Sequence, residues 1–421
     1  MTAAVAIVAR APTVEAAAIA IAGRVERTPL VLSPDLSTLA GCEIHLKLEN
    51  LQRTGAFKLR GALARLLMLD APERGRGVVT ASAGNHGLGV AVGAAALGIP
   101  ACIVLPRGVP LAKLTAIQRA GAEVVIAGSG YDEAFAAARD FAAQRGAIYI
   151  HAFDDPTVIA GQGTVAREML LDRPDLDAIV VPVGGGGLLA GTALAIAEAH
   201  ATVRLVGVQA AGARAFADAV RSGSTSIVPG GASTIADGIA VREPAARTVA
   251  IARAHEATMR IVTDEAIARA MVLLLERHKL LAEAAGAAGV AAMLDGPAEL
   301  AGKRVGIIVS GGNIDPNLLG KVVQQGLASA GRYLAFRTWL EDRPGQLHEL
   351  TGILGDEHIN ILHVGIHRVG PYTALGRVGL DVIVDTRDAA HAQDVLRLVR
   401  RAGFPAEQLI DVQPDSAGAL S

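Results

Sequence analysis

TGAFKLRGA, residues 54–62, sets a lysine among small and apolar neighbours at what reads as a helix start. Lysines are mostly exposed. Lys58 therefore either snorkels to solvent with its stem packed or has a chemical task. Three glycine-containing turns offer it partners. VPVGGGGLLAG (181–191) puts Gly184, Gly185, Gly186 and Gly187, followed by Leu188, between an apolar run and a helix. Without Cβ atoms, backbone N–H groups approach an anion closely, and the helix N-terminus adds partial positive charge. A phosphate is the natural occupant, and a plain strand-to-helix turn is the alternative. The spacing is neither GxGxxG nor GxxxxGK(S/T), which weakens dinucleotide and nucleoside triphosphate readings. TASAGNHGLG (80–89) brackets glycines with Ser82, Asn85 and His86. Such a turn receives a carboxylate through N–H groups and the serine hydroxyl, or Ser82 simply caps the helix. VSGGN (309–313) ends a β run at Ser310, which alone reads as a turn serine.

A lysine, a phosphate cradle and a carboxylate cradle together suit a phosphorylated aldehyde cofactor and an amino-acid substrate. A lysine amine forms a Schiff base with such an aldehyde, and a less polar pocket lowers its pKa.

These turns need elements to hold them. From about residue 40 to 320, apolar β-rich runs alternate with helical stretches: 43–49, 77–82, 101–106, 123–128, 147–153, 178–184, 203–209 and 304–312. The runs are continuous, not alternating, as in strands buried on both faces, so the spacing predicts an α/β fold with parallel sheets covered by helices. In such sheets ligands bind at the carboxyl ends of strands. Beyond about residue 321 the order becomes βαββα with a weak last strand at 408–412, the ferredoxin-like arrangement.

Composition narrows the function classes. With 51% hydrophobic and 19% charged residues, the 421-residue chain has material for more than one packed core, and disorder is not expected. The net charge of −2 comes without a basic block, so no nucleic-acid partner is expected. The two cysteines, Cys42 and Cys102, do not make a disulfide framework and fit a reducing compartment, so a cytoplasmic location is expected. No apolar run approaches a membrane span.

Taken together, TPL (28–30), LKLENLQRTGAFKLRGA (46–62), SAGNHGLG (82–89), AGQGT (160–164), PVGGGGLLAG (182–191), IADGI (235–239) and SGGN (310–313) resemble the threonine dehydratase (threonine ammonia-lyase) group of the tryptophan-synthase-β-like, fold type II pyridoxal phosphate enzymes. The resemblance covers roughly residues 13–320. It implies a two-lobed catalytic domain over 1–320, with a small lobe at roughly 42–153 inserted in the large one. It also implies pyridoxal 5'-phosphate as cofactor. By this resemblance Lys58 binds the aldehyde and moves protons at Cα, and Phe57 packs beside the cofactor. Asn85 meets the ring 3'-hydroxyl, and Gly184 to Leu188 cradle the phosphate. Ser310 meets the pyridine nitrogen. Ser82, Ala83, Gly84, Asn85 and His86 form the loop for the substrate carboxylate.

A neutral serine at the ring nitrogen makes a weaker electron sink than an aspartate, which suits prompt loss of a β-leaving group. The implied reaction is dehydration and deamination of L-threonine to 2-oxobutanoate and ammonia, with L-serine as a second substrate. A lyase for another β-hydroxy amino acid such as 3-hydroxyaspartate, a serine racemase-like enzyme and a non-catalytic amino-acid sensor are the competing readings. Serine racemases of the family carry a second serine where Ala83 stands. Their divalent-metal site needs carboxylates near Gln209 and Ala215, so no metal is expected. Glu283, in AEAAGAAG, has no role assigned by the resemblance.

The C-terminal part resembles an ACT domain, over 332–412 after a linker at 321–331. LEDRPGQL (340–347) matches its strand-to-helix turn and HINILHV (358–364) its second strand. Small amino acids bind ACT domains near that turn, often between paired domains. By resemblance Gly345, Gln346, Leu347, Asn360 and Ile361 line the site. The implied effector is a branched-chain amino acid, isoleucine before valine, acting allosterically in isoleucine biosynthesis. A homodimer or homotetramer is the implied assembly.

Overall fold

A computed structural model describes residues 12–82, 84–109, 111–225, 232–294, 296–329, 331–368 and 376–409. They fall into two compact units that divide between Leu319 and Gly320. The first unit holds strands β1 (Leu30–Leu32), β2 (Glu43–Leu48), β3 (Val78–Ala81), β4 (Ala101–Leu105), β5 (Glu123–Ile126), β6 (Ile148–Tyr149), β7 (Ala178–Pro182), β8 (Arg204–Ala210), β9 (Thr258–Val262) and β10 (Arg304–Val309). They make a six-stranded sheet, β1-β2-β10-β7-β8-β9, and a four-stranded sheet, β5-β4-β3-β6. Every pairing in them is parallel except β1 with β2. The smaller sheet is contributed entirely by chain lying between β2 and β7.

Burial explains the strand pattern. All of β7 and β3 is buried, as are five of six residues of β10. Helices cover both faces, so these strands need no polar alternation. The edge strands β1 and β9 give little signal in the sequence, because β1 has only three residues and β9 is mostly exposed or half-buried and interrupted by Arg260. The run at 147–153 yields only a two-residue strand. There the His151 Nδ1 accepts the N–H groups of Phe153 and Asp154 at 3.3 and 2.8 Å, which turns the chain out of the sheet.

The second unit holds β11 (Tyr333–Glu341), β12 (Ile361–His367), β13 (Arg377–Asp385) and β14 (Ala406–Gln408), in the order β12-β13-β11-β14. All its pairings are antiparallel. Helices Gln346–Asp356 and Ala389–Arg401 cover one face. Leu334, Phe336, Leu340, Leu350, Val382 and Val395 form much of its core. The last described strand lies at 406–408, and residues 410–412 of the one expected at 408–412 are outside the described residues. In the sequence, residues 321–331 read as a helix and linker. Helix Pro316–Ser329 takes up most of them, because Asp315 caps its first turn by accepting from the N–H groups of Asn317 and Leu318.

Candidate active site

β2 leads through a turn at 49–51 into the segment that carries the lysine. That segment is stitched to the chain leaving β10. Phe57 N–H donates to Ser310 O at 3.1 Å, Gly312 N–H donates to Gly55 O at 2.8 Å, and Ala56 bridges Gly311. Lys58 is thereby the first residue of helix Lys58–Leu67, beside the buried Ser310. Its Nζ donates to Ala152 O at 3.3 Å and lies 5.0 Å from the Phe57 ring centroid. The residue keeps partial solvent access, yet protein encloses the amine closely. Desolvation pulls its pKa down to about 8, and the charge of Glu283 partly offsets this.

The chain that supplies Ala152 also reaches the glycine turn. Phe153, one residue beyond Ala152, packs on Gly185 and Gly187: a Cβ added there would lie 2.4 and 3.0 Å from its atoms. Gly186 caps helix Gly187–Glu198 with φ of +87°, which suits only glycine, and no side chain caps the helix. Its first N–H groups have no intrahelical acceptor. Gly184 is half-buried, and Gly185 to Leu188 are buried. Thr248 Oγ1 donates to Gly185 O at 2.8 Å and anchors the turn.

The third turn follows β3. Ser82 Oγ accepts from Gly84 N–H at 3.3 Å, Asn85 opens helix Asn85–Ala96, and Ala83 is outside the described residues. His86 is buried, and its Nε2 lies 3.2 Å from Ile150 O. A carbonyl only accepts, so Nε2 carries the proton. Nδ1 is then a buried lone pair with no hydrogen-bond partner. Desolvation first, then the Lys58 charge, pushes the His86 pKa down to about 3, so the ring is neutral.

Two residues without a role from sequence complete the cluster. Asn85 Nδ2 donates to Glu283 Oε1 at 2.7 Å, and Asn313 Nδ2 donates to Asn85 Oδ1 at 2.8 Å. Glu283 is buried at the head of helix Ala284–Leu294. The signal for it was visible: one carboxylate leading an otherwise small and apolar run.

Residues 21–311 match the family described as pyridoxal-phosphate dependent enzyme, and residues 335–403 match the ACT domain. The chain belongs to the pyridoxal-phosphate dependent enzymes. L-Threonine ammonia-lyase of Thermotoga maritima is 43% identical over 380 residues, which cover 90% of this chain and 94% of that protein. L-Threonine ammonia-lyase of Geobacter sulfurreducens is 43% identical over 390 residues, 92% of this chain and 96% of that one. Among solved structures, threonine deaminase isoform 2 from Solanum lycopersicum has a TM-score of 0.68 at 34% identity, covering 72% of this chain and 83% of the other. Maize serine racemase has a TM-score of 0.70 at 34% identity, covering 75% and 97%.

As a pyridoxal-phosphate dependent enzyme, the chain uses pyridoxal 5'-phosphate. The residues present fit that group. An uncapped helix start behind a turn of four glycines suits a phosphate dianion, and a lysine whose pKa is lowered by desolvation suits an aldehyde. Among the described residues, no group of three or more His, Cys, Asp or Glu is placed to hold a metal ion.

In the ACT unit, one chain does not bring the five expected effector residues together. Gly345, φ +93°, heads helix Gln346–Asp356 just beyond the end of β11, with open space where a Cβ would be. Leu347 is exposed, and the buried Gln346 donates through Nε2 to Glu349. Asn360 and Ile361 lie at the other end of the sheet, since Ile361 pairs Val384, which pairs Leu334 near the start of β11. The helix carries the chain back along the sheet, so the two sets are roughly 20 Å apart. Asn360 Nδ2 donates to Asp385, and Ile361 packs on the core.

Proposed function

We propose that this protein is a threonine ammonia-lyase, converting L-threonine to 2-oxobutanoate and ammonia, with L-serine as a second substrate. The observation that carries the reading is Lys58, an amine with a pKa of about 8 set beside a glycine-only helix start. The 43% identity to L-threonine ammonia-lyases over nine-tenths of the chain supports the choice of substrate. When bound, pyridoxal phosphate supplies an aldehyde that captures the substrate amine and a ring that accepts electrons from Cα. Lys58 holds the amine that takes the Cα proton, because near neutral pH a useful fraction of it is unprotonated. Gly184 to Leu188 bind the phosphate, Asn85 the ring oxygen and Ser310 the ring nitrogen. Phe57 packs beside them. Ser82 to His86 hold the substrate carboxylate, with His86 as a neutral wall. Overall, water is lost across Cα–Cβ and regained when the released enamine hydrolyses, leaving the keto acid and ammonia.

The catalytic part is read as 1–320 and the regulatory part as 332–412, with cytoplasmic location supported by two buried free cysteines. Among the described residues, no helix is long and apolar enough to cross a membrane. Isoleucine, then valine, is the proposed effector, in a homodimer or homotetramer and a role in isoleucine synthesis. The split of Gly345 from Asn360 supports paired ACT domains, in which one copy supplies each half of a site. A panel of β-hydroxy amino acids, followed by keto-acid release and chiral chromatography, tests the substrate. Threonine should lead. Faster release from 3-hydroxyaspartate, or racemisation of serine without release, replaces the reading.

A further inference from the structure

Asn313 has no role in the chemistry proposed above. Its Nδ2 donates to Thr54 O at 2.7 Å and to Asn85 Oδ1 at 2.8 Å. The atom assignment follows from chemistry. A backbone carbonyl only accepts, so the Asn313 atom against Thr54 is the amide nitrogen. The same nitrogen faces Asn85, so the Asn85 atom there is its oxygen. The other end of Asn85 is then its nitrogen, and it donates to the Glu283 carboxylate at 2.7 Å. A carbonyl at one end and a carboxylate at the other give the chain of amides a single direction. The backbone supports it at both ends. Glu283 N–H donates to Gly311 O at 3.0 Å, and Gly55, at φ +70°, leaves room where a Cβ would sit 2.4 Å from Asn313 Oδ1.

We infer that Asn313 is a positioning residue that sets the sense of the Asn85 amide. It occupies the Asn85 oxygen and leaves, beside the hydrogen given to Glu283, one N–H of Nδ2 for an acceptor on the cofactor ring. This rests on the reading that Asn85 meets the ring oxygen. An aspartate at 313 would set acceptor against acceptor at both Thr54 and Asn85, turning the Asn85 amide over or pushing it away.

The test is a double-mutant cycle on full-length protein, read as pyridoxal phosphate affinity of the cofactor-free form and as the pH midpoint of the bound cofactor's absorbance. Asn313→Asp should weaken affinity about tenfold, the scale of one such hydrogen bond, and move the midpoint. In an Asn85→Ala background the same change should have a much smaller effect on both readouts, since only the contact to Thr54 is left to lose. Equal losses in both backgrounds, or wild-type affinity and midpoint in Asn313→Asp, overturn the proposal. Asn313→Ser, compared the same way, decides if the aspartate variant does not fold. An Asn85→Ala protein with unchanged affinity removes the assignment of Asn85 itself, and the inference with it. Neither readout requires turnover, so the result does not depend on whether threonine is the substrate.

Discussion

Lys58 and Arg60 stand two residues apart on one helix, and protein encloses both charged groups, although Lys58 keeps partial solvent access. Arg60 is fully buried and meets two carboxylates. Its guanidinium donates to Glu49 at 2.8 Å through both Nε and Nη2, and to Glu168 at 2.6 and 2.9 Å. Lys47, also fully buried, donates to Glu168 Oε2 and to Thr28 O, each at 2.6 Å. Two cations and two anions therefore cancel in the interior. Desolvation opposes the Arg60 charge, but Glu49 and then Glu168 outweigh it and hold its pKa above the ordinary value. Lys58 receives a longer bond to a carbonyl and the charge of Glu283, whose Oε1 already accepts from Asn85. There desolvation wins and the pKa falls. The contrast separates two uses of burial: complete pairing fixes a helix in place, and incomplete pairing makes an amine reactive.

Removing Lys58 should have the largest effect. Lys58→Ala should lower keto-acid release by about a thousandfold or more while the melting temperature changes little. Lys58→Arg should fail as well, because a guanidinium stays protonated. Near-normal release in either variant would erase the distinction between the two cations.

Arg60→Met should do the reverse, harming the fold more than the chemistry. It strands Glu49 and part of Glu168 without a cation, at a cost of about 3–5 kcal/mol in denaturant unfolding. A loss under ~1 kcal/mol would mean that the buried network contributes little.

The third expectation concerns pH. In cofactor-free protein, labelling of the Lys58 amine should rise with pH through a midpoint near 8. Glu283→Gln removes a negative charge that favours the ammonium, so the midpoint should move down. An unchanged or higher midpoint contradicts the coupling. At the small end, Arg221→Ala breaks only an exposed pair with Asp218 and should shift the melting temperature by less than ~2 °C. A larger shift would show that exposed pairs matter here as buried ones do.

The parallel architecture was legible in the order of residues alone, because strands covered on both faces must be apolar throughout, as β3, β7 and β10 are. So were the three turns, because a backbone that must bend tightly or approach a ligand needs glycine. Glu283 stood out as a lone carboxylate in a small, apolar run, but its partners and the direction of the Asn313–Asn85–Glu283 chain were not legible. Asn85 and Asn313 are 228 residues apart, and Asn85 and Glu283 are 198 apart. Local periodicity records which face of an element is apolar, and it carries no information about which distant polar groups meet. For the same reason the resemblance could name the ACT residues but not their spacing, and the return of helix Gln346–Asp356 set Gly345 and Asn360 at opposite ends of the sheet. The reactivity of Lys58 arose in folding as well, since a pKa depends on the solvent excluded and the charges nearby, and both come from folded neighbours.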